Sequence, residues 1–271
     1  MNVHKRLSVV IPTFKTPSRL KERCLKSLSG IDCELIEVGG LPISEARNEG
    51  LQKARGDWVW FVDADDEVVP LAEIESGSGQ WDADILLMGV RTRWGGYGKK
   101  WEAIPPELNG EMSVTDLKVL NDNLLFRYTC NKIYSREFLM MNGIRFESGT
   151  EPCEDAIFNL KCVLSGARWR SVRQVGYVYW KRLGSSLFRF CPTVERSCRR
   201  ENELWEKLGA CGRCGGDVEK VLGFGWSEEQ IAAKVWDNRW LRGSTENHPP
   251  IRWQIRQLVL LTRRLFRFAG V

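Results

Sequence analysis

Five apolar residues, Trp58-Val-Trp-Phe-Val62, run without a break into Asp63-Ala-Asp-Asp66. A short apolar run of this kind, opened by Gly56-Asp57, reads as a buried strand. Three carboxylates then follow within four residues, and they repel one another unless a cation neutralises them. Open α/β sheets bind their ligands beyond the carboxyl ends of the strands. A hard divalent cation takes oxygen ligands and carries diphosphate with it, so this is a natural place for one. D-x-D alone also fits a solvated turn with a helix N-cap, and the rest of the chain has to decide.

Upstream, Leu7 to Phe14 is a second apolar, β-branched run, ended by Pro12, and reads as a buried strand. Pro17 to Ser29 reads as a helix and Leu35 to Val38 as a strand closed by Gly39-Gly40. Ser44 is placed to cap a helix that Gly56 ends near Arg55. Strands alternating with helices predict βαβ units and a mostly parallel sheet. Further along, Ala83 to Arg93 reads as a strand and Gly95 to Pro106 as a loop. Ser135 to Asn142 is a short helix, Glu154 to Ser165 a longer one, and Trp169 to Trp180 a strand. From Phe190 the pattern is helical, with a capping box at Ser227-Glu-Glu-Gln230 opening a helix to Leu241.

Composition excludes more than it selects. In 271 residues, 43% hydrophobic and 28% charged, there is enough apolar matter for a large core. No secretory signal and no apolar stretch of about 18 residues is read in the chain, so the expected location is cytoplasmic. The nine cysteines form no disulfide framework. Cys211 and Cys214 make a lone C-x-x-C, without the second pair or the histidines that a zinc site needs. A net charge of +5 is too small to argue for nucleic acid.

Three pieces stand in register: Ser8-Val-Val-Ile-Pro-Thr-Phe14, Ser44-Glu-Ala-Arg-Asn-Glu-Gly-Leu51 and Gly56-Asp-Trp-Val-Trp-Phe-Val-Asp-Ala-Asp-Asp66. Together they resemble the nucleotide-binding half of the family-2 glycosyltransferases. Asn131-Lys-Ile-Tyr-Ser-Arg-Glu-Phe138, Asn142-Gly-Ile-Arg-Phe146 and Glu154-Asp-Ala-Ile-Phe158 are similar to the acceptor half of bacterial members. Tyr177-Val-Tyr-Trp180 with Gly184-Ser-Ser186 resembles the strand and loop that follow. The resemblance covers residues 7–188. It implies an α/β GT-A fold, Rossmann-like, with a mostly parallel sheet flanked by helices. The division it suggests is a GT-A domain over 1–188, with a nucleotide half to about 95 and an acceptor half over 96–188, then a helical extension over 189–271.

The implied activity is inverting, metal-dependent transfer of a hexosyl or N-acetylhexosaminyl group from a nucleotide-sugar donor to a glycan or lipid-linked acceptor, as in cell-surface polysaccharide synthesis. Residue by residue, the resemblance sets Pro12 and Thr13 against the nucleotide and Arg47 on the base or phosphate side. Asp63 would bond the donor ribose or sugar, and Asp65 would ligate Mg2+ or Mn2+. Asp66 is expected to support the turn. Asp155 is expected as the general base that takes the acceptor's proton, with Glu154 binding acceptor or orienting the loop. Both also suit a helix N-terminus on charge alone. Arg182 could clamp diphosphate, and Lys132 could touch a substrate or lie at the surface. Where the family has two Asp residues after the second strand, one of them reading the base, this chain has Gly39-Gly40. UDP is therefore the family's default donor nucleotide here. The same gap keeps a second reading open, a catalytically inactive nucleotide- or glycan-binding relative. A nucleotidyltransferase would want a glycine-rich phosphate loop after the first strand, and Pro12-Thr-Phe-Lys-Thr-Pro17 has no glycine.

Arg252, Arg256, Arg263 and Arg267 fall on one face of a last helix from Ile251 to Phe268, and Ile251, Ile255, Leu258 and Leu265 on another. A basic amphipathic helix with aromatic residues suits a membrane surface as a peripheral anchor. Packing on protein is the alternative, and nucleic acid is not expected.

Overall fold

The computed structural model describes residues 7–75, 81–94, 100–181, 191–211 and 225–241. Arg182, the Gly184 to Ser186 loop, Cys214 and the basic helix expected over 251–268 lie outside the described residues. The first expectations hold closely. Strand β1 is Leu7–Thr13, helix α1 Ser18–Ser27, β2 Cys33–Gly39, α2 Ile43–Lys53 and β3 Trp58–Phe61. A short strand β4 (Glu67–Val68) and helix α3 (Ala72–Glu75) follow, then β5 (Ile85–Trp94).

Strand β6 (Lys100–Ala103) folds back antiparallel on β5, pairing Val90 with Ala103 and Arg93 with Lys100. The loop expected over Gly95 to Pro106 is therefore partly strand. Its Trp101 packs against the core and offsets the glycines that suggested a loop. Strand β7 (Asn109–Glu111) and helix α4 (Val114–Asp122) come next. Ser113 and Asp116 form a reciprocal capping box at the start of α4. Strand β8 (Lys132–Ser135), helix α5 (Arg136–Met141), helix α6 (Glu154–Leu164) and strand β9 (Arg168–Lys181) complete the sheet and its flanks. Helix α7 (Val194–Ala210) packs on α6, and α8 (Glu228–Leu241) packs on α7. The capping box expected at Ser227 and Gln230 is formed.

Among the described residues, nine strands make one sheet in the order β2-β1-β3-β8-β5-β9-β4, with β6 on β5 and β7 on β9. β1 pairs parallel with β2 and β3, β8 is antiparallel to both β3 and β5, and β5 is parallel to β9. Strands β1, β2, β3, β5 and β9 thus run one way. The sheet is parallel through its nucleotide half and mixed where β8 enters. Because β8 is reversed, its start at Lys132 lies at the same edge as the carboxyl ends of β1, β2 and β3. β1 also has β2 on one side and β3 on the other, so the chain reverses its direction of winding there. That is where a doubly wound sheet opens a crevice.

Helix α2 lies close against β1 and β2. A side chain at Gly50 would put its Cβ 2.1 Å from Val10 Cγ1 and 3.0 Å from Val10 Cγ2. Val10 is fully buried and β-branched, so it has little freedom to yield. This contact fixes the height of α2, and therefore of Arg47 one turn earlier. Gly50→Ala should destabilise the fold by about 1–3 kcal/mol through overpacking, read as a lower urea midpoint at unchanged slope. An unchanged midpoint would mean that α2 does not need this close approach.

No helix among the described residues is long and apolar enough to cross a membrane.

Candidate active site

The turn after β3 is fixed from within. Asp66 is fully buried and turned away from solvent. Its Oδ2 accepts from Tyr177 Oη at 2.8 Å and its Oδ1 from the Trp180 N–H at 2.7 Å. The Asp63 N–H donates to the same tyrosine oxygen at 3.2 Å. Arg23 Nη2 donates to the Asp65 carbonyl at 2.6 Å, and the Arg23 guanidinium lies 4.2 Å from the centre of the Trp180 ring. Asp66 supports the turn, and nothing local in the sequence announces Tyr177 and Trp180 as its partners or Arg23 as the partner of the Asp65 carbonyl. With Asp66 turned inward, the Asp63 and Asp65 side chains are left part-exposed at the sheet edge.

Arg47 projects from α2 into the middle of the site and is only 3% exposed. Its Nη2 donates to Asp63 Oδ1 at 3.1 Å. Its Nη1 donates to Asp155 Oδ1 at 2.5 Å and lies 3.6 Å from Glu154 Oε1. One guanidinium therefore faces three carboxylates, one on the β3 turn and two on the first turn of α6. Arg47 was expected on the base or phosphate side of a nucleotide; here it joins Asp63 to the Glu154–Asp155 pair. Below it, the Phe146 ring centre is 5.1 Å away, and Phe146 stacks on Phe158 at 4.1 Å and meets Phe61 edge-on at 5.0 Å. Asn48, the next residue, brackets the backbone of Phe146: its Nδ2 donates to the carbonyl and its Oδ1 accepts from the N–H, both at 2.9 Å.

Asp155 Oδ2 accepts from the Thr129 N–H at 3.0 Å, so both oxygens of this carboxylate are oriented. Glu154 differs, because its Oε2 is buried without a hydrogen-bond partner. Burial first, and then the neighbouring Asp155, push the Glu154 carboxyl up to about 8. Burial also raises Asp63, and Arg47 pulls it back only in part. A single buried cation does not fully balance three carboxylates, and the pair on α6 sits in two unlike environments, a pattern associated with acid–base sites.

Two further expectations change. Ser44 does not cap α2, since Pro42 occupies the N-cap position. The Ser44 hydroxyl instead reaches Glu151 Oε1 at 3.2 Å, just ahead of α6. Lys132 is not at the surface. It is fully buried, and its Nζ donates to the carbonyls of Leu125 (2.8 Å), Phe126 (3.4 Å) and Tyr128 and to Asn131 Oδ1 (2.9 Å). That cage fixes the segment that presents the Thr129 N–H to Asp155. Pro12 is buried near the end of β1, and Thr13 follows it, half-buried. A Cβ at Gly39 would stand 3.0 Å from Thr13 Oγ1, so the glycine leaves room where β1 and β2 end side by side.

Comparison with known proteins reads this arrangement further. The family model "Glycosyl transferase family 2" matches residues 40–141, which hold Arg47 and the whole acidic turn. Over that segment the chain is similar to glycosyltransferase family 2. Over 197 residues it is 24% identical to the uncharacterized glycosyltransferase EpsJ of Bacillus subtilis, covering 68% of this chain and 56% of that protein. Over 135 residues it is 26% identical to the poly(ribitol-phosphate) beta-N-acetylglucosaminyltransferase TarS of Staphylococcus aureus, covering 49% of this chain and 22% of TarS. The chain thus spans about half of one relative and about a fifth of the other. In structure it is similar to TarS 1-349 in complex with UDP-GlcNAc, with a TM-score of 0.59 at 19% identity over 87% of this chain and 72% of that one. It is also similar to GalNAc-T7 with UDP, GalNAc and Mn2+, with a TM-score of 0.51 at 14% identity over 85% of this chain and 56% of that one. Both likenesses show the GT-A fold.

The unequal carboxylates have a measurable consequence. Folded protein holds the Glu154 proton at pH values where the unfolded chain, near 4.5, has released it. Stability contributed by this group is therefore present below about pH 4.5 and falls as pH rises toward 8. In metal-free buffer, Glu154→Gln should flatten the fall in Tm between pH 5 and pH 8. An unchanged slope would mean that Glu154 is ionised throughout.

Proposed function

We propose that this chain transfers a sugar from a UDP-linked donor to a hydroxyl of a glycan or lipid-linked acceptor, with inversion, in cell-surface polysaccharide synthesis. The observation that carries the reading is the Arg47 bridge. It brings an acidic turn at the carboxyl edge of the sheet within one side chain of a carboxylate pair on α6. A donor diphosphate at the turn and an acceptor at the pair would then meet across Arg47.

Asp65 suits a divalent cation, since its side chain is part-exposed at the carboxyl edge of the sheet. Among the described residues no group of three or more His, Cys, Asp or Glu side chains is gathered to hold a metal. Asp65 is the residue that would hold the ion. Bound there, Mg2+ or Mn2+ would supply charge neutralisation for the leaving diphosphate. Asp63 bonds the donor ribose or sugar, and Pro12 and Thr13 border the nucleotide. Asp155, oriented by Arg47 and the Thr129 N–H, takes the proton from the acceptor hydroxyl as that oxygen attacks the anomeric carbon. The glycosidic electron pair leaves with UDP. Glu154 lies beside the acceptor path. The UDP-GlcNAc bound to TarS supports the choice of UDP, and the poly(ribitol-phosphate) in that enzyme's name supports a polymeric hydroxyl acceptor. Arg182 is a proposed diphosphate clamp, and the arginine-rich sequence 251–268 a proposed membrane contact.

The test pairs binding with turnover. Purified protein with Mn2+ should bind UDP and release UDP from UDP-linked sugars, and EDTA should abolish both. Asp65→Asn should remove the metal dependence with the activity. Asp155→Asn should lower kcat roughly 10²- to 10⁴-fold while UDP still binds, and Glu154→Gln should cost less. No UDP binding in the wild type would overturn the reading. A larger loss in Glu154→Gln would exchange the roles of the pair.

A further inference from the structure

The segment that delivers Glu154 and Asp155 is held largely by α7, a helix outside the sheet. Glu151, three residues before Glu154, is the point of attachment. Its carbonyl oxygen lies 2.8 Å from Thr193 Oγ1, 2.6 Å from Ser197 Oγ and 3.0 Å from Cys191 Sγ. Its carboxylate accepts from Ser44 on α2. Three side-chain donors around one backbone carbonyl exceed its two lone pairs, and Ser197 shares its proton with the Thr193 carbonyl, also at 2.6 Å.

Thr193 is the N-cap residue of α7 and a good capping type, yet its hydroxyl does not cap the helix. That bond is given to Glu151 instead. The same face continues along α7. Arg196 donates to the Gly149 carbonyl, and Arg200 holds Glu147 with two bonds of 2.8 Å. One position further, the fully buried Glu201 takes Arg127 bidentately, at 2.7 and 3.1 Å. Arg127 stands two residues from Thr129, whose N–H holds Asp155. Residues 193, 196, 197, 200 and 201 recur at helical spacing, so one face of α7 grips both backbone segments that set the carboxylate pair.

We propose that α7 is a positioning clamp for the Glu154–Asp155 pair, acting through the hydroxyls of Thr193 and Ser197 on the Glu151 carbonyl. This rests on the catalytic reading of the pair. The bonds of α7 run to the segments that carry Glu154 and Asp155, so its effect belongs to turnover and not to nucleotide binding.

The experiment compares wild type, Thr193→Val/Ser197→Ala, Thr193→Ser and, as a control on the outer face of the same helix, Arg199→Ala. The paired hydroxyl loss should lower kcat roughly 10- to 100-fold, the scale of a small misplacement of a reacting group. The donor KM and Mn2+-dependent UDP binding should stay within twofold. Thr193→Ser should keep near wild-type kcat, and so should Arg199→Ala. Unchanged kcat in the hydroxyl-free variant would overturn the clamp, as would an equal loss of UDP binding. If the wild type binds UDP but transfers no sugar, the proposed function fails and the clamp is decided by hydrogen exchange. Faster exchange of the amides from Glu154 to Ile157 in the hydroxyl-free variant, with α2 unchanged, supports it; identical exchange overturns it.

Discussion

Arg47 is the one cation that three carboxylates share, and the arrangement of the site follows from it. A buried charge is tolerated only when paired and hydrogen-bonded. Here the partners come from different parts of the chain: Asp63 is 16 residues away and Asp155 is 108. Satisfying one guanidinium therefore requires the β3 turn, α2 and the start of α6 to be in place together. The aromatic floor of Phe61, Phe146 and Phe158 supports the guanidinium from below.

Each piece of this arrangement has a local cause. The apolar β3 stops where Asp66 turns inward to Tyr177 and the Trp180 N–H, which leaves Asp63 and Asp65 at the open edge. Gly50 lets α2 descend onto Val10, which sets Arg47 at its depth. The reversal of β8 brings the Leu125–Asn131 segment to the same edge, where Lys132 gathers its carbonyls and Thr129 presents its N–H. The excess of negative charge left at the edge is what a divalent cation would offset.

Residues 7–66 were legible because buried parallel strands are written as apolar runs with abrupt ends, and because the helices between them stop short of Gly30 and Gly56. The acidic turn was legible for the same reason. What escaped was set by contacts distant in sequence. Ser44 reads as a cap, yet its hydroxyl serves Glu151, 107 residues on. Lys132 reads as a surface or substrate lysine, because nothing local announces that carbonyls 125 to 128 will surround it. Strand β6 was lost among glycines and prolines, since its pairing with β5 is what makes it a strand. Helix α4 could have been found from Ser113 and Asp116, three residues apart as a capping box requires.

Unfolding of a double-mutant cycle tests the shared cation most directly. Arg47→Met alone leaves the half-buried Asp63, Glu154 and Asp155 side chains without their shared cation and should cost at most about 3–5 kcal/mol, the scale of a fully buried pair. Asp155→Asn added to it removes one of those charges, so the double variant should recover part of that loss and the two changes should be strongly non-additive. Additive losses would mean that Arg47 and Asp155 do not depend on each other, and the account of the site built on their bridge would be wrong.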